Sequence, residues 1–122
     1  MARIFLDTNL FIDAVHRKPE KRILESLLGH IPYISTLSFH IYYYTCKIRI
    51  PDENSLAQKK KFQIIDFTDK ILTQAMEGPT TDLEDNIQLH SAVEAECDIF
   101  LTNDTKLLKM KFFGKVQIKN SP

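Results

Sequence analysis

IFLDTN (residues 4–9) and IFLTND (residues 99–104) are built from the same six residue types. Each opens with three apolar residues and runs into a carboxylate, Asp7 in the first and Asp104 in the second. A short continuous apolar run reads as a strand buried on both faces, the signature of a parallel sheet covered by helices. Taken singly, an Asp or Asn at such a point is an ordinary helix N-cap worth about 1 kcal/mol. Taken together, two acids at the carboxyl ends of parallel strands can converge where the strand order reverses, the place where open α/β sheets bind ligands.

Outward from these two stretches, strands alternate with helices. Strands are expected at residues 3–7, Pro32–Ser35, Phe62–Phe67 and Asp98–Thr102, with Val116–Ile118 as a candidate edge strand. Helices are expected from Thr8 to Val15, from Pro19 through Leu28 to a stop at Gly29, and from Thr36 to Ile48 before Pro51. Further helices are expected at Thr68–Glu77, Asp82–Glu96 and Asp104–Met110, and residues 51–61 read as a loop or short helix. This alternation predicts a single α/β domain over residues 1–122 with a mostly parallel central sheet of four to five strands.

The 122 residues suffice for one core, and 43% apolar content is that of a globular chain. Sixteen basic and sixteen acidic residues cancel, so any nucleic-acid surface must be local. Lys59–Lys61 and the lysines at 106, 109, 111, 115 and 119 are local sources, although most such clusters are simply solvated. No apolar run is long enough to span a bilayer, and the chain enters its first strand without a signal-peptide pattern. Cys46 and Cys97 lack metal-type spacing and read as reduced, buried thiols of a cytoplasmic protein.

Asp85 adds a third acid. With Leu89, Ala92 and Val93 it follows i, i+4, i+7, i+8, one face of a helix, so it extends an inward apolar stripe while Asp82 and Glu84 point elsewhere. Thr81 and Glu84 have capping-box spacing. An inward carboxylate needs a partner. Clustered carboxylates repel unless a cation sits among them, and hard oxygen ligands suit Mg²⁺ or Mn²⁺. Such a centre can activate water against a phosphodiester.

IFLDTNLFID (4–13) and DLEDNIQLHSAVEAECDIFLTND (82–104), in a chain of this length, resemble the PIN-domain family, closest to the small VapC-type toxins of prokaryotic toxin–antitoxin pairs. The resemblance implies a three-layer α/β/α sandwich and a Mg²⁺- or Mn²⁺-dependent ribonuclease site built from acids. It also implies an RNA substrate, a small inhibitory antitoxin and a homodimer. Carried over by residue, Asp7, Asp85 and Asp104 match the family's acids. Asn9 matches the polar companion of the first, and Thr102 the threonine that orients a neighbouring carboxylate or a water.

Two positions depart from the family pattern. Where the family usually carries a Glu in the helix after the second strand, ISTLSFH (34–40) places His40, and a further acid after Asp104 is replaced by Leu107. His40 is read as a contact supporting the ligands or the substrate phosphate, as an ordinary histidine beside Tyr42–Tyr44, or as a direct ligand. The departures keep open a weakened PIN scaffold that binds RNA or protein without cleavage. A phosphotransfer fold, with Asp66 as its acid, is a third reading. His16, His30 and His90 have no partner spacing, and Asp13 reads as solvated.

Overall fold

A computed structural model describes residues 1–122. Its six strands are β1 (Arg3–Leu6), β2 (Ile31–Ser35), β3 (Gln63–Ile65), β4 (Ile99–Leu101), β5 (Phe112–Phe113) and β6 (Val116–Lys119). They form one sheet in the order β3-β2-β1-β4-β6-β5, parallel throughout except for the β5–β6 pair. The expected class holds. The sheet gains a strand because Phe112–Phe113 folds back on Val116, so β6 is internal and β5 takes the edge.

Alternation along the central strands explains the layers. Ile4 and Leu6 of β1, with Ile99 and Leu101 of β4, face the layer of α1 (Thr8–Ile12) and α2 (Thr36–Thr45). Phe5 and Phe100 turn to the opposite layer, against Leu89 and Ala92 of α5 (Leu83–Glu94). These two rings are register partners and stack at 5.6 Å between centroids. With every side chain from Ile4 to Leu6 fully buried, the run is apolar without interruption, as strands covered on both faces are. Helix α4 (Asp69–Glu77) packs on α5 through Ile71, Ala75 and Ile87. Helix α3 (Glu53–Lys59) joins the first layer, where Tyr43 and Ser55 hydrogen-bond.

Several local expectations change. The helix expected after Pro19 is two short 3₁₀ turns, Pro19–Lys21 and Glu25–Leu27, broken at Arg22, whose φ is 48°. Leu27 is buried and Ile23 and Leu24 pack against the same core, so the segment is held by tertiary contacts across the break at Arg22. Helix α1 stops at Ile12 and continues as a π turn, Asp13–Arg17. Residues 53–59 are helical, capped by Asp52. The cap of α5 is Asp82, which accepts the Asp85 N–H, in place of Thr81. No helix is long and apolar enough to cross a membrane.

The chain lays β1, β2 and β3 outward in one direction, then returns across the sheet to place β4 on the other side of β1. The order therefore reverses between β1 and β4. Their carboxyl ends carry Asp7 and Thr102–Asp104.

Candidate active site

Asp7 is 8% exposed and sits on the hinge between β1 and α1. Its Oδ1 accepts the Leu10 N–H at 2.7 Å, a helix cap, and its Oδ2 accepts the Thr102 hydroxyl. Thr102 is fully buried and its Oγ1 also accepts the Asp104 N–H at 3.0 Å. One hydroxyl thus ties the ends of the two central strands together. Asp104 caps α6 (Thr105–Leu108), where Oδ1 accepts the N–H groups of Lys106 and Leu107 at 2.8 and 3.2 Å. Both acids are caps, and both face the same opening.

That opening has two parts. A cavity of about 240 Å³ is lined by Asp7, Asn9, Leu10, Asp13, Asn103 and Asp104. A groove of about 840 Å³ runs on the other side of Asp104 and is walled by Asp82 and Asp85 of the α5 start. Asn103 and Asp104 belong to both. Burial pushes the Asp85 carboxyl up to about 6, aided by repulsion from Asp82, Asp104, Glu84 and Asp7. Burial likewise raises Asp7, against the lowering effect of its hydrogen bonds from Thr102 and Leu10, and the charges of Asp104 and Asp13 add to the rise. Asp104 thus shares one opening with Asp7 and the other with Asp85, and no lysine or arginine pairs with any of the three.

Glu84 lies on the exposed side of α5 and lines neither opening, while partial desolvation and the charges of Asp82 and Asp7 raise its carboxyl. Its Oε1 accepts from Gln88 Nε2 at 3.4 Å. Gln88 is 2% exposed and its Oε1 accepts the Thr8 N–H at 2.6 Å, across 80 residues of sequence. The glutamine thus fastens the turn that bears Asp7 to the helix that bears Asp85. Thr8 is held from a third side, with its Oγ1 3.0 Å from Ser38 Oγ of α2. Asn86 fixes the approach to α5. Its Oδ1 accepts the Thr80 N–H at 2.9 Å, and its Nδ2 donates to Ala75 O and Thr80 O, both at 2.9 Å. The signal for these residues was present as polar side chains interleaved with Ile87, Leu89 and Ala92 on a helix that buries more than one face.

Asp13 is not solvated. It lines the cavity beside Asp7 and pairs with Arg17 at 2.9 Å and Lys18 at 3.8 Å. Arg17 also donates to Asn9 O at 3.0 Å, and its distance to Asn9 Oδ1 is 3.4 Å. His40 is exposed on α2 and lines neither opening, and Leu107 is buried in the core. Of the tyrosines, Tyr42 is fully buried, Tyr43 hydrogen-bonds Ser55 and Tyr44 is 80% exposed, which suits core packing more than a stacking face. Asp66 follows the edge strand β3, with β2 between it and β1, so the acid required by a phosphotransfer site is not beside Asp7.

The donor set suits a hard divalent cation. Asp85 has no hydrogen bond to either carboxylate oxygen, and Asp104 has Oδ2 free. No three His, Cys, Asp or Glu side chains close round one point.

A search of the curated proteins finds no match. Among solved structures, the chain is similar to the crystal structure of VapBC2 from Rickettsia felis bound to a DNA fragment from their promoter. The TM-score is 0.65 at 18% identity, covering 96% of this chain and 97% of that one. It is also similar to DNA-bound VapBC from Salmonella typhimurium, with a TM-score of 0.64 at 16% identity over 98% of each chain. At such identity the likeness is one of fold. A family model for the PIN domain matches residues 3–106, most of the chain, so the chain belongs to the PIN-domain family.

Proposed function

We propose that the protein is a divalent-metal-dependent endoribonuclease that hydrolyses RNA phosphodiesters, the toxin member of a toxin–antitoxin pair. The observation that carries this reading is the unneutralised group Asp7, Asp85 and Asp104 at the β1–β4 switch point, with the Asp85 carboxyl pushed up to about 6. Asp85 and Asp104, which share the larger opening, would hold Mg²⁺ or Mn²⁺ together with water, with Asp7 on the other side of Asp104. The bound cation supplies Lewis-acid polarisation of the phosphate and activation of water. Asp7, held by Thr102 and Leu10, keeps its carboxylate fixed while charge develops on the phosphate. Asn9 and Asn103, exposed in the lining of the smaller cavity, would offer neutral donors to phosphate oxygens. Arg17 holds Asn9 in place, which gives that residue its supporting role.

The VapBC neighbours, solved as complexes on DNA, support a small antitoxin as partner; a homodimer in the cytoplasm completes the proposal and rests on the family resemblance alone. A second reading, a scaffold that binds without cleaving, is favoured by one observation: neither His40 nor Leu107 brings a ligand to the site. The test is calorimetric titration of Mn²⁺ and Mg²⁺ into wild type and Asp85→Asn, with cleavage of single-stranded RNA followed on the same samples. Binding and cleavage by wild type, both lost in the variant, support the nuclease. RNA binding by wild type without metal binding or cleavage supports the scaffold.

A further inference from the structure

Two cations flank the acids, and they differ in what they already hold. The Arg17 guanidinium is 2.9 Å from Asp13 and donates to the Asn9 carbonyl, so its charge is neutralised within the protein. Lys106 takes part in none of the ion pairs of the chain. Its backbone N–H donates to Asp104 Oδ1 at 2.8 Å, so the root of its side chain is tied to the acid that divides the two openings. The free lysine lines the larger opening, and the neutralised arginine lies beside the smaller.

Size points the same way. Ligand sites commonly enclose about 300–1,000 Å³. The groove beyond Asp104 holds about 840 Å³, and the cavity at Asp7 about 240 Å³. Thr81, Asn103 and Thr105 line the groove with side-chain polar groups that bond nothing else in the protein, while Pro79 and Met110 give it apolar walls. Free hydroxyls and an amide suit sugar and phosphate oxygens, and apolar walls suit an unstacked base. The groove is also built to keep its shape, because Asn86 anchors the Thr80 backbone from both sides.

We propose that single-stranded RNA leaves the acids on the Lys106 side, with the groove between Pro79–Asp85 and Asn103–Met110 holding the nucleotide next to the scissile phosphate and Lys106 holding its phosphate. This rests on the ribonuclease reading and adds a direction to it. Lys106 acts in binding, so its loss raises KM and leaves kcat nearly unchanged.

The test is fluorescence anisotropy of a labelled single-stranded RNA with the full chain in chelator, over a salt series, followed by cleavage kinetics with Mn²⁺. Lys106→Met is expected to weaken binding about five- to tenfold and to flatten the salt slope by about 0.7, the share of one phosphate contact on a single strand. Lys106→Arg is expected to restore both, and Lys60→Met to match wild type. If wild type binds RNA and Lys106→Met binds with the same affinity and slope, or if Arg17→Met takes the loss instead, the assignment of the groove is overturned and the nuclease reading stands. If wild type neither binds nor cleaves RNA, both fall together.

Discussion

The Thr102 hydroxyl donates to Asp7 Oδ2 and accepts the Asp104 N–H, so a single buried side chain sets the relation between the two strand-end acids. Thr102→Val keeps the shape and removes both bonds. It leaves one oxygen of a buried carboxylate and one backbone N–H without partners, at a cost of about 1–3 kcal/mol. Urea denaturation is expected to show that loss and Thr102→Ser to recover most of it. The Asp7 carboxyl should rise further in the valine variant, because the hydroxyl is its largest lowering influence.

Gln88 performs the same office between Thr8 and Glu84. Gln88→Leu preserves volume roughly and orphans the Thr8 N–H, so about 1–2 kcal/mol of stability should be lost. Titration of Mn²⁺ should weaken as well, since the α1 turn is then free to shift against α5. Unchanged metal affinity in a folded Gln88→Leu would show that the glutamine serves stability alone.

Asp85 makes stability depend on pH in an unusual direction. Its carboxyl lies near 3.8 when unfolded and at about 6 when folded, because burial and four neighbouring acids oppose its charge. A raised carboxyl is fully stabilising below the unfolded value, and that stability is lost as pH rises through the folded one. Asp7 and Glu84 shift the same way. In chelator, the melting temperature is therefore expected to fall between pH 4 and pH 7. Asp85→Asn should flatten that slope and melt a few degrees higher at pH 7, about 2–5 °C after allowance for solvent screening. Scans at four pH values decide it, and a wild-type melting temperature that rises from pH 4 to 7 would sink the idea.

Adding Mn²⁺ at pH 7 should reverse the loss. An ion bound only by the folded state stabilises in proportion to the logarithm of its concentration over Kd, about 2.7 kcal/mol at a hundredfold excess over Kd. The rise should be absent in Asp85→Asn and intact in His40→Ala, because the imidazole stands on the exposed face of α2. A His40→Ala variant that loses the response would restore the histidine to the ligand set.

The α/β class and the strand-end acids were legible in residues 4–9 and 99–104, because a doubly buried parallel strand must be continuously apolar and a carboxylate that interrupts it is conspicuous. Asp85 was legible through helical periodicity, since it shares a face with Leu89 and Ala92. The same periodicity misplaced Val93, which is 42% exposed, because α5 is covered by the sheet on one side and α4 on another and so has no single inward face.

What the sequence determined by itself was local: which segments are apolar enough to be strands, where helices start, and which carboxylates stand at those junctions. Tertiary structure alone decided who meets whom. The return of β4 to the far side of β1 brings residues 7 and 102 within a hydrogen bond, and Gln88 reaches Thr8 across 80 residues. The same packing leaves His40 outside. Strand order and helix rotation arise from the joint packing of all layers, so no window of sequence carries them.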